Sequence, residues 1–237
     1  MALRPETAFQ TRTVDRADID EGLRAYMLRV YNYMTAAMAI TGLVAYITVN
    51  TPALFNAIYG TPLQWVVMLA PLGMVFFLAA RVHKMSTSAA QIAFWIYAGL
   101  VGLSLAWIFA VYTQTSIVRV FFITASAFAG LSLYGYTTKK DLSGWGSFLI
   151  MGVIGLIVAS IVNIFLVSSA LHFAISVIGV LVFAGLTAYD TQQIKETYYS
   201  VANSDMAGKA AIMGALRLYL DFLNMFLFLL QLFGSRE

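Results

Sequence analysis

Two acidic residues lie inside stretches that otherwise have the composition of membrane-spanning helices. Asp190 lies in Leu186–Glu196 (LTAYDTQQIKE), and Asp221 lies in Leu218–Gly234 (LYLDFLNMFLFLLQLFG). An aspartate at the centre of a spanning helix costs about 2.5–3.5 kcal/mol on insertion scales. It persists there only where it faces the interior of a helix bundle, a partner or water. These two residues are therefore the first candidates for chemistry in this chain.

Two carboxylates that meet in a low-dielectric site resist ionising together. At neutral pH such a pair holds one shared proton, or it binds a divalent cation that stabilises the doubly ionised form. Ca²⁺ takes about 6–8 oxygen ligands, which include amides, carbonyls and water, so two aspartates supply only part of a site. In the alternative interpretation Asp190 lies at a hydrated helix end and Asp221 pairs separately with a basic residue. The sequence leaves both interpretations open.

The depth of each aspartate is counted from the nearest lysine. Asp190 lies about 8 Å along its helix from Lys195, and Asp221 lies about 18 Å along the next helix from Lys209, at 1.5 Å per residue. The two helices are consecutive and antiparallel, so both aspartates approach from one side of the membrane. Tilting or kinking of a helix would bring them level, which the sequence does not decide.

Three further residues are placed to modulate the pair. Arg217 lies four residues before Asp221, a spacing that permits pairing on one helix face, so it either neutralises Asp221 or extends to the membrane surface. Arg81 ends the second predicted span; it either reaches Asp190 and competes with a cation or acts as an ordinary positive-inside anchor. Asn224, three residues after Asp221, is expected to form hydrogen bonds across helices.

The composition is that of an integral membrane protein. Of 237 residues, 61% are hydrophobic and only 11% are charged, whereas a soluble domain has about 25% charged residues. The absence of cysteine excludes disulfides, thiol nucleophiles and thiolate metal sites. The net charge of +3 is scattered, so nucleic-acid binding is not expected. Two distant histidines, His83 and His172, do not suggest a zinc site, and no cofactor is expected.

Seven segments approach the roughly 20 mostly apolar residues that a spanning helix needs. Residues 30–237 are therefore predicted to form a single all-α transmembrane domain, with sequential helices as antiparallel neighbours. Residues 1–29 are polar, which argues against a cleaved signal peptide and predicts a cytoplasmic tail. The predicted spans are Val30–Val49, Pro62–Ala80, Ala89–Tyr112, Val118–Tyr136, Trp145–Val167, Leu171–Ile194 and Ala210–Phe233.

Basic residues alternate between the connections. The first, third and fifth connections contain no lysine or arginine, and the other three are basic, with Arg81, Lys84, Lys139, Lys140, Lys195 and Lys209. Because positive charge accumulates on the cytoplasmic side, the N-terminus is predicted to be cytoplasmic and the C-terminus to lie on the far side. Small residues within the spans are predicted to permit close helix packing: Gly99, Gly102, Ser126, Gly130, Gly152, Gly155, Ala184 and Gly185.

Two motifs carry a family resemblance. Tyr189–Gln192 with Ile194–Lys195, and Leu218–Asn224 in the following span, are similar to the helix-six and helix-seven signatures of the Bax inhibitor-1 family, the transmembrane proteins with a BAX-inhibitor motif. Lys139–Leu142 and Asn163–Phe165 match weaker family features. The resemblance covers nearly everything after about residue 23, and the chain resembles a bacterial member.

The resemblance implies a seven-helix bundle with the last helix central. It also implies a pH-sensitive calcium leak, gated by a pair of aspartates that match Asp190 and Asp221. The family's latch arginine, which pairs with the helix-six aspartate in the closed state, most nearly matches Arg81. Arg217 departs from the small or uncharged residue expected at its position. The implied partners are the lipid bilayer, calcium ions, protons and other membrane proteins. The lack of a targeting segment predicts a bacterial cytoplasmic (inner) membrane and leaves an organelle membrane open as the alternative.

Two other functions compete with a cation leak. One is a non-transporting membrane regulator of a protease or of a stress or cell-death pathway, which nothing in the sequence excludes. The other is an intramembrane aspartyl protease, which needs paired aspartates on consecutive spans, one as acid and one as base. However, Leu218–Leu220 precedes Asp221 where that chemistry needs Gly-x-Gly, and no Pro-Ala-Leu follows. We therefore expect the chain not to be an enzyme.

Overall fold

The computed structural model describes residues 16–202, 204 and 206–236. Seven helical segments in these ranges are long and apolar enough to cross a membrane, which confirms the predicted all-α bundle of seven spans. A short 3-10 turn, Val82–Lys84, follows the third helix. The α-helices are α1 (Arg16–Val49), α2 (Pro52–Tyr59), α3 (Leu63–Arg81), α4 (Thr87–Leu105), α5 (Ile108–Val111), α6 (Gln114–Thr137), α7 (Ser143–Leu166), α8 (Ser169–Val201) and α9 (Ala207–Phe233).

The first helix begins well before the predicted first span. α1 runs without a break through residue 29, where the sequence predicted a boundary between a tail and a membrane domain. Leu23, Met27, Val30 and Met34 are buried along it. These positions recur at helical spacing, so the apolar stripe that faces the bundle continues into the polar region. The predictions for residues 1–15 lie outside the described ranges.

The last helix lies at the centre of the bundle, as expected. α9 packs against α8, α1, α6 and α4. Its side chains are buried in these contacts, with Leu218, Tyr219 and Met225 almost completely enclosed. Because α9 has protein on most sides, a polar side chain on it lies away from lipid. This arrangement is what allows an aspartate in the last span.

Two of the spans lie at the periphery. α3 packs mainly on α4, and α7 packs mainly on α8. Both expose large apolar side chains on their outer faces, among them Phe76 of α3 and Ile154 and Phe165 of α7. Exposed apolar surface of this extent is anomalous in a soluble protein but is the expected surface of a protein in lipid. The outer faces are therefore lipid-facing.

Hydrogen bonds fix both ends of the region that carries the aspartates. At the start of α8, the Ser168 side chain accepts a hydrogen bond from the Leu171 N–H at 3.3 Å. After α9, the Thr113 N–H donates to the Ser235 carbonyl at 3.0 Å, and the Ser235 N–H donates to Ser116 Oγ at 2.9 Å. The end of α9 is thus tied to the start of α6, which holds the central helix in register with its neighbours.

Candidate functional site

The antiparallel pair α8 and α9 brings the two aspartates to nearly the same depth. Asp190 precedes the end of α8 at Val201 by about 17 Å, and Asp221 follows the start of α9 at Ala207 by about 21 Å, at 1.5 Å per residue. The difference is less than one helical turn, which side chains can span. No kink is needed, because α8 continues beyond Ile194, where the sequence predicted that it ends.

The carboxyl groups of Asp190 and Asp221 lie within interaction distance of each other. Asp221 is buried, with 3% of its surface exposed. Its Oδ2 has no hydrogen-bond partner among the residues that the structure describes. A buried polar atom left unpaired costs about 1–3 kcal/mol. In a native protein such an atom marks a place where a proton, a water molecule or an ion completes the site.

Arg217 is the basic partner of this pair. Its Nη1 lies 3.9 Å from Asp190 Oδ1, and its side chain is 55% exposed. A long ion pair with an exposed guanidinium contributes only about 0–1 kcal/mol to stability. Arg217 also acts electrostatically on Asp221. One guanidinium faces two carboxyl groups, so the site carries net negative charge whenever both carboxyl groups are ionised.

A cavity of about 390 Å³ connects Arg217 to the end of the bundle where α8 ends and α9 begins. Ile194, Lys209 and Arg217 line it from α8 and α9, and Tyr26 of α1 and His83 of the 3-10 turn line it from the other side. This cavity gives Arg217, the partner of Asp190, access to solvent.

The structure does not pair Arg81 with Asp190. Arg81 is exposed at the end of α3, and the ion pair found in the described part of the chain joins Asp190 to Arg217 instead. The physical reason is the position of the helices: α3 packs on α4 at the periphery, whereas Arg217 lies on α9, which packs directly on α8. Arg217 likewise pairs across the helix contact, not with Asp221 on its own helix as the four-residue spacing suggested.

Within the described ranges, the hydrogen bond of Asn224 lies within its own helix. Its Nδ2 donates to the carbonyl oxygen of Leu220, one turn earlier on the same helix, at 2.8 Å. The amide is therefore used within α9. The expected interhelical hydrogen bond from Asn224 is not among those of the described residues, and it stays a prediction.

The polar residues that follow Asp190 hold α8 in place. Thr191 Oγ1 donates to the Thr187 carbonyl at 2.7 Å and lies 2.9 Å from Ser132 Oγ on α6. Gln192 accepts from the Leu142 N–H at 2.8 Å and donates to the Lys140 carbonyl, also at 2.8 Å. These side chains fix the rotation of α8 and thereby the direction in which Asp190 points.

Sequence reasoning missed a chain of hydroxyl groups beside the site. Tyr31 of α1 is hydrogen-bonded to Ser132 of α6, which is bonded in turn to Thr191 of α8. This series of hydrogen-bonded hydroxyl groups ends at Thr191, which follows Asp190 in the sequence. The signal that could have revealed it is weak: Ser132 is a single hydroxyl within an apolar span, a position that usually bonds its own helix.

The two aspartates supply few of the ligands that a resident metal ion requires. The described residues contain no group of three or more His, Cys, Asp or Glu side chains that could hold a metal ion. A hard cation between Asp190 and Asp221 would complete its shell with carbonyl oxygens and water.

The chain is similar to known proteins over most of its length. The family model described as "Inhibitor of apoptosis-promoting Bax1" matches residues 23–237. An uncharacterized protein of Rickettsia prowazekii is 48% identical over 227 residues, covering 96% of each chain. Inner membrane protein YbhL of Escherichia coli is 44% identical over 219 residues, covering 91% of this chain and 94% of YbhL. A membrane protein of Streptococcus pyogenes is 33% identical over 230 residues, covering 92% and 96%.

Proposed function

The chain belongs to the Bax inhibitor-1 family, and from this membership and the contact between Asp190 and Asp221 we propose that it is a pH-sensitive calcium leak channel or transporter. In this proposal Ca²⁺ is the transported ion and protons are the signal, and the two aspartates bind both. The relative YbhL is an inner membrane protein, so the proposal assigns this chain to a bacterial inner membrane with a cytoplasmic N-terminus.

The observation that carries the proposal is the unbalanced charge at the contact between α8 and α9. Asp221 is buried and has an unpartnered oxygen, Asp190 lies beside it, and Arg217 is the cation that faces both. A charge in a membrane interior is costly unless it is compensated. A proton shared by the pair, or Ca²⁺ bound by both carboxylates, supplies the missing compensation.

The proposed gate is the ion pair between Arg217 and Asp190. A pair of 3.9 Å with a half-exposed arginine is weak enough to be displaced by Ca²⁺ or by protonation of Asp190. Arg217 would then withdraw into the cavity that it lines with His83 and Lys209. Arg81, which the family resemblance favours as the latch, would act only in a state in which α3 has moved towards α8.

The expected pH profile has a maximum. As the pH falls, Asp190 gains a proton and Arg217 loses its counter-charge, so the gate opens and Ca²⁺ flux rises. Once both carboxyl groups are protonated, no negative ligand remains for the cation, and flux falls again. The two flanks report macroscopic proton affinities that belong to the pair and not to either residue.

The test is Ca²⁺ flux into liposomes that contain the full chain, measured across a range of pH. Asp190→Asn and Asp221→Asn should each remove the maximum, because each leaves one carboxyl group. The matched control is Asp141→Asn in the connection between α6 and α7. Hydrogen bonds from Ser143 lower the pKa of Asp141, so it is an ionised surface acid of the same kind. Unchanged profiles in both site variants would remove the pair from the mechanism.

We also propose that the chain has no enzymatic activity and no resident cofactor. Adjacent aspartates are shared with intramembrane aspartyl proteases, so incubation with a helical membrane substrate is the direct check, and cleavage that depends on Asp221 would contradict the proposal. Absence of flux, together with co-purification of another membrane protein, would favour a non-transporting regulator instead.

A further inference from the structure

A long groove separates α1 from α6. Both helices pack on α9, yet they make few contacts with each other. The cavity between them measures about 670 Å³, and its floor is formed by Phe222 of α9. Met27, Met34 and Met38 of α1 and Phe128 of α6 line its walls. The volume falls within the range of small-molecule sites, about 300–1,000 Å³.

The groove opens sideways to the lipid and accepts an apolar occupant. Leu28 and Leu133 at its edges are 52% and 63% exposed. Four hydroxyl-bearing residues line it, and the hydroxyl groups of two of them, Tyr31 and Ser132, are hydrogen-bonded to each other. An apolar chain can therefore lie against Tyr31 and Ser132 without leaving either of these two hydroxyl groups unpaired.

One end of the groove is basic. Arg24 lines the cavity at the end where α1 enters the membrane. Tyr136 lines the same end from α6, and Lys195 of α8 lies over the Tyr136 ring, with Nζ 5.3 Å from the ring centroid and 2.9 Å from the Tyr136 carbonyl oxygen. Arg24 has no carboxylate within ion-pair distance among the side chains that the structure describes.

The length of the groove matches a lipid chain that begins at this end. From Arg24 to Met38 the groove follows α1 for about 21 Å at 1.5 Å per residue. The hydrocarbon core of a bilayer is about 30 Å thick, so the groove runs from one membrane surface past the midplane. An acyl chain lying in it would have its phosphate at the level of Arg24.

We propose that this groove binds one anionic phospholipid, with an acyl chain along Met27, Met34 and Phe128 and the phosphate paired with Arg24. The charge at the rim selects an anionic head group over a zwitterionic one. An acyl chain bound in the groove is ordered, whereas the lipid at the outer faces of α3 and α7 exchanges with the surrounding bilayer. This site does not include Asp190 or Asp221, so its test is independent of the test of the proposed calcium leak.

The test uses the fact that the chain has no cysteine. A single cysteine introduced at Ala129, which lines the groove, is labelled with a small fluorophore in the full chain reconstituted in phosphatidylcholine bilayers. Brominated phosphatidylglycerol or brominated phosphatidylcholine is then added as a quencher. The control site is Ile154→Cys on the lipid-facing side of α7.

At Ala129→Cys, phosphatidylglycerol should quench at about fivefold lower mole fraction than phosphatidylcholine, the effect expected of one basic residue near an anionic lipid surface. Arg24→Gln should abolish this preference, Arg24→Lys should keep most of it, and Arg29→Gln, an exposed arginine of α1 outside the groove, should leave it unchanged. Ile154→Cys should show no preference. Equal quenching by the two lipids at Ala129→Cys, or a preference that survives Arg24→Gln, would overturn the proposal.

Discussion

Asp221 is a buried acid, and its burial carries a structural cost. Its side chain is 3% exposed, and one carboxylate oxygen has no partner in the described residues. Packing alone does not explain an aspartate there, because an apolar or amide side chain of similar size would avoid the cost of burying an acid. An acid that costs stability is retained where its proton or its charge is used.

The first prediction concerns stability. Asp221→Asn keeps the shape of the side chain and removes the possibility of an unpaired buried charge, so the melting temperature should stay the same or rise. Met225→Asp, which places a new acid one turn further along α9 at a fully buried position, should lower it clearly. Both are measured by tryptophan fluorescence during thermal unfolding in detergent. A marked fall for Asp221→Asn would show that the carboxyl group is stabilising.

The second prediction separates the two candidate latch arginines. Arg217→Gln should raise Ca²⁺ flux at neutral pH and reduce the further rise in flux on acidification. Without Arg217 the ion pair to Asp190 is already absent, so protonation of Asp190 has no ion pair left to break. Arg81→Gln should leave both properties unchanged, since Arg81 is exposed on a peripheral helix. The measurement is liposome flux at matched protein content. The opposite pattern, an effect of Arg81→Gln alone, would restore Arg81 as the latch.

At the scale of helices, the approach of α6 to α8 decides how Asp190 is held. A Cβ atom built at Gly135 of α6 would collide with the backbone carbonyl of Ala188 on α8. Backbone cannot move aside as a flexible side chain can, so this contact requires glycine. Ser132, one turn earlier on α6, adds its hydrogen bond to Thr191. The two contacts together fix the face that α8 turns towards α9.

The third prediction tests this helix contact with a matched pair of glycines on α6. Gly135→Ala should push α6 from α8 and cost about 1–3 kcal/mol, the usual range for overpacking. Gly130→Ala meets nothing within 4 Å and should be neutral or slightly stabilising, because alanine favours helix over glycine by about 0.5–1 kcal/mol. Thermal unfolding of the two variants is the measurement. Equal melting temperatures would mean that the contact is loose enough to adjust.

At the scale of the whole molecule, a central helix is surrounded by protein and two outer helices are surrounded mostly by lipid. α9 packs on four spans, whereas α3 and α7 are each attached mainly to one neighbour. The outer helices therefore have fewer protein contacts to break if they move. Because the described ranges contain seven candidate spans, an odd number, the start of α1 and the end of α9 are predicted to lie on opposite sides of the membrane.

The fourth prediction concerns orientation. Thr61→Cys, in the connection before α3, should react with a membrane-impermeant maleimide in right-side-out vesicles, whereas Ser88→Cys, at the start of α4, should react only after the vesicles are opened. The reason is that the connection before α4 carries Arg81 and Lys84, and positive charge stays on the cytoplasmic side. The cysteine-free chain is the control for background labelling. Reversed accessibility would invert the predicted topology.

The sequence indicates which spans contain small residues that permit close packing, but it does not indicate which of those residues contacts another helix. Among the small residues predicted to permit close approach, Gly102 and Gly152 lie against other helices, whereas Gly99 and Gly155 meet nothing within 4 Å. Gly135, the tightest of the α6 contacts with α8, was not singled out. Composition shows that a span contains small residues; which of them touches a neighbour depends on the rotation of the helix, and no local pattern encodes that rotation.

The seven spans, the all-α class and the presence of two acids in the last two spans could all be predicted from the sequence, because hydropathy over about 20 residues is a local property that any lipid-embedded helix must satisfy. The packing of the helices was needed to show that Asp190 and Asp221 lie at nearly the same depth and that Arg217 is the partner of Asp190. α8 remains helical to Val201 because its polar end packs on α1 and α9, where protein contacts replace the apolar composition that lipid would demand. The depth of the two aspartates and the ion pair of Asp190 with Arg217 follow from that packing, which brings together residues far apart in the chain.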